Sequence, residues 1–148
     1  MAEEKLILVD ERNRAVGIGG KTAVHRTGQL HRAFSIFVVD DRGRLVLQRR
    51  NPKKYHSGGL WANSCCGHPR PGEQTVTAAR RRLNEELGIV SPLTFGFFAR
   101  YRADLDNGMQ ENELVYVYFG PLLARPVPDP AEPVVHLGDR TVFVAHEW

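Results

Sequence analysis

Short apolar runs separated by polar turns dominate the first third of the chain. Residues 6–9 form one such run and are followed by four polar residues, and residues 33–39 form a second that is rich in Phe, Ile and Val. Asp40-Asp41-Arg42-Gly43 then leads into a third run at residues 45–47. Runs of this length bounded by turn residues predict strands, and the polar connection predicts a hairpin. The early chain is therefore predicted to form β-sheet.

The pattern changes to a helical period between residues 75 and 87. Apolar side chains recur there at steps of three and four, at Val76, Ala79, Leu83 and Leu87. Gly88 follows directly, as is common where a helix ends. We therefore predict one helix from residue 75 to residue 87.

Aromatic and β-branched residues return in the second half of the chain. Residues 93–101 and 113–119 predict two strands, and the second is apolar on both faces, as in a strand covered on both sides. Five prolines between residues 121 and 133 predict an irregular loop, before a last short strand at residues 141–144. Together these elements predict an α/β (α+β) fold in a single domain that spans residues 1–148.

Composition narrows the class of protein. The 148 residues suit one domain, and 42% apolar with 25% charged residues is ordinary globular usage. No stretch nears the roughly 18 apolar residues of a membrane span, and the N-terminus lacks the apolar run of a signal peptide. We therefore expect a cytoplasmic protein with no membrane partner. The net charge of +3 could suit nucleic acid or a phosphorylated small molecule, but it is not gathered into a long basic block and does not identify a partner on its own. No nucleic-acid partner is expected.

The two cysteines of the chain, Cys65 and Cys66, are neighbours. Adjacent residues cannot form an ordinary disulfide without severe strain, so reduced thiols are expected. In an extended segment the two side chains point to opposite faces, and only one of them can reach a given pocket. Cys66, beside Gly67 and two residues before His68, is the one predicted to do so.

The predicted helix lies inside a spaced motif. Gly67 is followed after five residues by Glu73, and after seven more by residues 81–89, which close the motif. This arrangement resembles the Nudix box, in which Gly, Glu, Arg, a helix-borne acidic cluster and a closing Gly hold the same offsets. On a helix, positions 82, 85 and 86 share one face, so carboxylates there can converge on a metal ion that bridges diphosphate oxygens. The resemblance implies a Nudix fold, with a mixed β-sheet sandwiched between helices.

One position departs from the box. Arg82 stands where hydrolysing members of the superfamily carry Glu. Exchanging a carboxylate for a fixed positive charge weakens the metal cluster that activates water, whereas an arginine can still pair with a phosphate. The departure therefore disfavours hydrolysis and retains diphosphate binding.

Over nearly all of its length the chain resembles the type I isopentenyl-diphosphate isomerases of the Nudix superfamily. The segments that carry the resemblance are residues 21–25, 30–35, 49–50, 53–54, 63–69, the altered box, and residues 101–103 and 111–113. The resemblance implies an isomerase of isoprenoid biosynthesis that converts isopentenyl diphosphate to dimethylallyl diphosphate.

The resemblance also implies two metal sites. One divalent ion, Mn²⁺, Zn²⁺ or Mg²⁺, would be held by three histidines and two glutamates, namely His25, His31, His68, Glu111 and Glu113. Five ligands of this kind suit a borderline metal and leave one coordination position open. Glu86 would help a second ion, Mg²⁺, to bind with the diphosphate. Contacts to the diphosphate itself are implied for Lys21, Arg50, Lys54 and Arg82.

Three residues match the catalytic groups of the family. Cys66 matches its thiol, and Glu113 with Tyr101 matches the partner across the substrate. Moving the double bond by one carbon requires one proton to be added and another removed, with a tertiary carbocation between the two steps. A thiol, a carboxylate and a phenol can carry these protons, and the aromatic face of Trp61 can stabilise the cation.

The end of the chain matches the family less well. Related isomerases continue into helices, with an aromatic residue that closes over the substrate, and we expect that segment to be missing here. Trp148 or a second chain would take its place, so both a monomer and a homodimer are compatible with the sequence. Otherwise the pocket would be more open than in the longer relatives. Three alternative functions remain: a Nudix hydrolase of a nucleoside or prenyl diphosphate, an isomerase for another prenyl diphosphate, and a binding module without catalysis.

Overall fold

The structure, a computed structural model, describes residues 3–49, 61–127, 134–137 and 142–144, with side chains for residues 3–48 and 62–127. In chain order, the elements of these residues are β1 (Lys5–Val9), β2 (Ala15–Gly20), α1 (Lys21–Thr27), β3 (His31–Val39), β4 (Val46–Arg49), β5 (Trp61–Ala62), β6 (Cys65–Gly67), α2 (Thr75–Leu87), β7 (Thr94–Asp104), β8 (Gln110–Pro121), β9 (Val134–Leu137) and β10 (Val142–Val144). A 3-10 turn at Asp106–Gly108 joins β7 to β8. Within this part of the chain, no helix has the length and apolarity needed to cross a membrane.

The main sheet is mixed, as the predicted fold class requires. Its strands lie in the order β2-β1-β3-β8-β7, and the short strand β6 also pairs with β3. β3 and β8 run parallel over nine residue pairs, whereas β7 and β8 form an antiparallel ladder. A second sheet has the order β10-β9-β4-β5. The mixed sheet and the two described helices confirm the prediction of an α+β protein.

The core lies between α2 and one face of the main sheet. Ala79, Leu83 and Leu87, which share one side of α2, pack with Phe34 and Ile36 of β3. All five are essentially inaccessible to solvent. Burying each of the four larger side chains, those other than Ala79, stabilises the fold by about 1.5–3 kcal/mol. The apolar period of the helix therefore fixes which face of α2 meets the sheet.

Two glycines of the spaced motif are required by close packing. A Cβ atom on Gly67 would lie 2.7 Å from the Phe34 ring, so β6 could not approach the core with a larger residue there. Gly88 ends α2 in the left-handed region with φ 61°, and its Cβ position lies 2.5 Å from the carbonyl oxygen of Val127. The first and last glycines of the motif thus hold β6 and the loop after α2 against the helix.

Several predicted elements are confirmed, and others differ. The helix begins and ends at the predicted residues 75 and 87. Strands occur at each predicted position, although β8 begins at residue 110 rather than 113 and Phe119 near its end is 41% exposed. The apolar pattern did not predict α1, β2, β5 or β9. β2 and the start of α1 are rich in glycine or polar residues, so neither produces a clear apolar period.

We expect Leu83→Ala to lower the free energy of unfolding by about 2–5 kcal/mol, because the side chain is fully buried and its removal leaves a cavity. Val90→Ala is the matched control, since Val90 is 78% exposed and should change stability by about 0.5 kcal/mol or less. Urea denaturation of both variants measures the difference. Equal midpoints would contradict the assignment of this face of α2 to the core.

Candidate metal and proton-transfer site

Four side chains from four different parts of the chain meet beside the main sheet. His25 comes from α1, His31 begins β3, His68 follows β6, and Glu113 lies in β8. One ligand atom from each of them lies within 4.8 Å of all the others. The parallel register of β3 and β8 makes His31 and Glu113 direct neighbours, and hence their side chains share one face of the sheet. The structure thus brings together four of the five predicted ligands of the first metal.

Glu113 is the common partner within this group. Its Oε2 atom lies 2.9 Å from Nε2 of His68 and 3.2 Å from Nε2 of His31. Burial alone would raise the pKa of this carboxyl, but hydrogen bonds with His31 and His68 hold the pKa of Glu113 well below its usual range. Glu113 is therefore an ionised carboxylate surrounded by imidazoles.

The contacts of His31 test whether a cation fits. Its Nδ1 atom lies 2.9 Å from the carbonyl oxygen of Gln29, and because a carbonyl can only accept, Nδ1 carries a hydrogen and donates. Nε2, the other ring nitrogen, faces Oε2 of Glu113, so the position between these two atoms holds either the proton of a hydrogen bond or, in its place, a cation. The backbone thus orients the His31 ring in the manner typical of a metal ligand.

His25 completes the donor set. Its side chain is buried, and desolvation, with the neighbouring rings of His31 and His68, lowers its pKa to about 4. The imidazole is therefore neutral at physiological pH, which is the form that binds metal ions. Three imidazoles and one carboxylate form a donor set that a divalent, borderline metal ion prefers. The described residues fit such an ion.

The two other acidic or phenolic residues predicted at this site lie next to the group. Glu111 is two residues from Glu113 in β8 and lines the same cavity, but its carboxylate is not within the four-residue group. Tyr101 pairs directly with Glu113 in the β7–β8 ladder and is 46% exposed. Desolvation and the nearby carboxylates of Glu111 and Glu113 raise the pKa of the Tyr101 phenol, so it keeps its proton.

The predicted separation of the two thiols is confirmed. Cys66 pairs with Ser35 and lines the cavity, whereas its neighbour Cys65 pairs with Ile36 and lies in the core. Cys66 Sγ donates to Oδ1 of Asn63 at 2.8 Å and lies 3.5 Å from Oγ of Ser35. Although the side chain is exposed to the cavity, desolvation raises the pKa of Cys66 to about 11. Cys66 is therefore a protonated thiol at neutral pH.

Near the C-terminal end of α2, Arg82 and Glu86 form an ion pair, in which Nε of Arg82 lies 2.7 Å from Oε1 of Glu86. Arg82 Nη1 also lies 3.5 Å from Oε2 of Glu85, and both Arg82 and Glu86 line the cavity. Arg81 bridges two carboxylates: Glu73 accepts from its Nε and Nη2 atoms at 2.9 and 3.0 Å, and Oε1 of Glu85 accepts from its Nη1 atom at 2.9 Å. The predicted common face of residues 82, 85 and 86 is thus confirmed, with Arg82 facing carboxylates of its own helix.

The other predicted diphosphate contacts are described only in part. Lys21, at the start of α1, lines the cavity, and its Nζ atom lies 3.3 Å from Oε2 of Glu4. Arg50 and Lys54 lie outside the described residues, as does Trp148. Trp61 is described as part of β5, but its side chain is not among the described ones. The roles predicted for these residues stay predictions.

Two polar residues of this region were not predicted from the sequence. Gln48, buried in β4, donates through Nε2 to Oε2 of Glu86 at 3.0 Å. Ser35, in β3, places its hydroxyl beside Cys66. A polar residue within an apolar strand was the available signal in both cases, because buried polar groups require partners.

The mixed sheet, helix α2 and the acidic residues near the C-terminal end of that helix together define a NUDIX domain. The NUDIX domain family matches residues 29–147. The isopentenyl-diphosphate Delta-isomerase 1 of Aromatoleum aromaticum is 52% identical over 88% of this chain and 73% of its own length. The isopentenyl-diphosphate Delta-isomerase of Serratia proteamaculans is 49% identical over 99% of this chain and 75% of its own length. The chain therefore belongs to the type I isopentenyl-diphosphate Delta-isomerase family of the NUDIX superfamily.

Solved structures show the same fold at lower identity. DR0079 from Deinococcus radiodurans matches with a TM-score of 0.71 and 24% identity, over 87% of this chain and 78% of that one. The MutT protein from Methanosarcina mazei matches with a TM-score of 0.57 and 19% identity, over 74% of this chain and 73% of that one. These likenesses confirm the predicted Nudix fold.

We expect Glu113→Gln to lower the affinity of the purified protein for Mn²⁺ or Zn²⁺ by at least about tenfold, because it removes the carboxylate between the imidazoles. Glu11→Gln is the matched control, since Glu11 is exposed and forms its ion pair with Arg100 at the surface. Metal analysis after dialysis, together with calorimetric titration, measures both. Unchanged metal content in Glu113→Gln would show that the ion does not bind here.

Proposed function

We propose that the protein isomerises isopentenyl diphosphate to dimethylallyl diphosphate. The observation that carries this proposal is one cavity lined by a protonated thiol, Cys66, an ionised carboxylate, Glu113, and a phenol, Tyr101. The reaction adds a proton to the terminal alkene carbon and removes one from the carbon next to the phosphate-bearing one. It thus needs one group that holds a proton and one that accepts it, and these residues supply both.

Strand alternation supports the assignment of these three residues to one site. Cys66 pairs with Ser35, while Glu113 pairs with His31 and with Tyr101, so the side chains of all five lie on the same face of the main sheet. Tyr101, which keeps its proton beside Glu113, can relay a proton to or from the carboxylate. Cys66 lies on the opposite edge of β3 from Glu113, and a substrate between them would meet one group on each side.

The metal ions belong to this proposal. His25, His31, His68 and Glu113, with Glu111 next to them, would hold Mn²⁺, Zn²⁺ or Mg²⁺, and Glu86 would hold a Mg²⁺ that arrives with the diphosphate. When bound, these ions supply positive charge that offsets the charge of the diphosphate and of the carboxylates. Lys21 and Arg82 line the same cavity and would contact the diphosphate as fixed cations, together with Arg50 and Lys54.

The contacts of Arg82 argue against hydrolysis. Its guanidinium lies on the face of α2 that it shares with Glu85 and Glu86, so this face carries two carboxylates where the box of a hydrolase has three. A water-activating cluster needs several free carboxylates, whereas an isomerase needs only enough charge to hold the diphosphate. A prenyl diphosphate other than the five-carbon substrate is the nearest alternative. Cytoplasmic location and a monomeric or homodimeric state stay predictions.

Incubation with isopentenyl diphosphate in deuterated water, with Mg²⁺ and Mn²⁺ present, tests the proposal. We expect dimethylallyl diphosphate that carries deuterium in a methyl group, because the added proton comes from solvent by way of an enzyme group. NMR and mass spectrometry identify the product, and a phosphate assay measures hydrolysis. Release of phosphate without deuterated product would favour the hydrolase alternative.

The adjacent thiols provide a matched pair of variants for the same assay. Cys66→Ala should lose nearly all isomerisation while melting normally, because Cys66 faces the cavity. Cys65→Ala should retain most turnover but melt slightly lower, since it removes a small buried group at a cost of about 1 kcal/mol. If Cys65→Ala is the inactive variant, or if Cys66→Ala keeps substantial turnover, Cys66 is not a proton-transfer group.

A further inference from the structure

The carboxylate of Glu86 is buried in a hydrogen-bond network that the Nudix box does not account for. Glu86 is only 6% exposed, and its two oxygens have different partners. Oε1 accepts from Arg82, whose side chain is more than a third exposed. Oε2 accepts from the Gln48 amide at 3.0 Å and from the Cys65 thiol at 3.3 Å, and both of these donors are buried. Buried residues of the core therefore hold Oε2, and Arg82 at the cavity holds Oε1.

Gln48 is itself fixed in place from the other side. Its Nε2 atom has two hydrogens, of which one goes to Glu86 and the other to the carbonyl oxygen of Ser64, 2.8 Å away. The Ser64 hydroxyl in turn donates to the carbonyl of Val46 and accepts from the backbone N–H of Val38. Because every partner is buried, the amide cannot turn without losing a hydrogen bond in a region of low dielectric constant. The position of Oε2 is thus tied to β3 and β4.

The donors of Glu86 differ in strength. A thiol is a weak hydrogen-bond donor, whereas an amide N–H bonded to a carboxylate gains from the full negative charge. The ion pair with Arg82 is strong but lies at the cavity, where a diphosphate would compete for the same guanidinium. Gln48 is therefore the strong donor that remains with Glu86 when Arg82 turns to an anionic ligand.

From this arrangement we propose that Gln48 is a positioning residue for the diphosphate-associated metal ion. It holds Oε2 of Glu86 so that Oε1, now paired with Arg82, is the oxygen available to a divalent cation. The inference rests on the proposed function, in which Glu86 binds Mg²⁺ together with the diphosphate. Hydrogen-bond partners of this kind orient metal ligands, and their loss commonly lowers metal affinity by about 10–100-fold.

The test is the effect of Mg²⁺ on the binding of inorganic diphosphate, measured by calorimetry with and without the metal. Gln48→Met keeps the length of the side chain and removes the donor. We expect Mg²⁺ to strengthen diphosphate binding in the unmodified protein, and this enhancement to fall by about tenfold or more in Gln48→Met. Binding without Mg²⁺ should be unchanged, because Lys21 and Arg82 are intact. Gln74→Leu is the control, since Gln74 is exposed and its side chain makes no capping bond.

The outcomes separate this inference from the proposed function. A lower melting temperature with the full Mg²⁺ enhancement would give Gln48 a packing role only and overturn the inference. If Mg²⁺ has no effect on the unmodified protein, the second metal site of the proposed function fails, and the inference fails with it. Should Gln48→Met not fold, Gln48→Thr serves instead, because a β-branched residue suits a strand and its hydroxyl is too short to reach Glu86. The same loss of enhancement is expected there.

Discussion

The parallel pairing of β3 with β8 is the constraint on which the rest of the site depends. Its register places His31 opposite Glu113, although 82 residues separate them in the chain. β6 pairs with the other edge of β3 and brings Cys66 opposite Ser35, while β7 brings Tyr101 opposite Glu113. A shift of one residue in any of these ladders would turn the corresponding side chain to the helix face. The chemistry of the cavity therefore depends on the alignment of three strand pairs.

The two faces of the main sheet consequently have different roles, and β6 contributes one residue to each face. One face carries the imidazoles, the carboxylate and the phenol, and the other packs against α2 and brings Glu86 close to the sheet. Cys65 and Cys66 point to these two faces in turn, and desolvation raises the pKa of both thiols. Gly67 follows without a side chain, which lets β6 lie against Phe34. The motif thus begins in β6, the strand that contributes to both the core and the cavity.

Local sequence patterns predicted the parts of this structure that are governed by nearby residues. The period of residues 75–87 and the following glycine gave the limits of α2, and strand alternation separated the two thiols, because both depend on backbone geometry alone. The meeting of His25 with Glu113 depends on long-range pairing, which no local period encodes, and only the family resemblance suggested it. Gln48 was missed for the same reason, since its partner Glu86 lies 38 residues away.

The exchange of a carboxylate for Arg82 has a structural counterpart in Gln48. An ionised Glu86 in so buried a position would be unstable without donors, because a buried carboxylate pays a large desolvation cost. Arg82 supplies a positive charge, but that charge is also what a diphosphate would bind. The Gln48 amide, which is fixed by its own buried partners, then keeps the Glu86 carboxylate hydrogen-bonded and oriented while Arg82 changes partner. A box with one carboxylate fewer can on this reasoning still hold one metal ion, provided that β4 supplies the donor which the helix itself lacks.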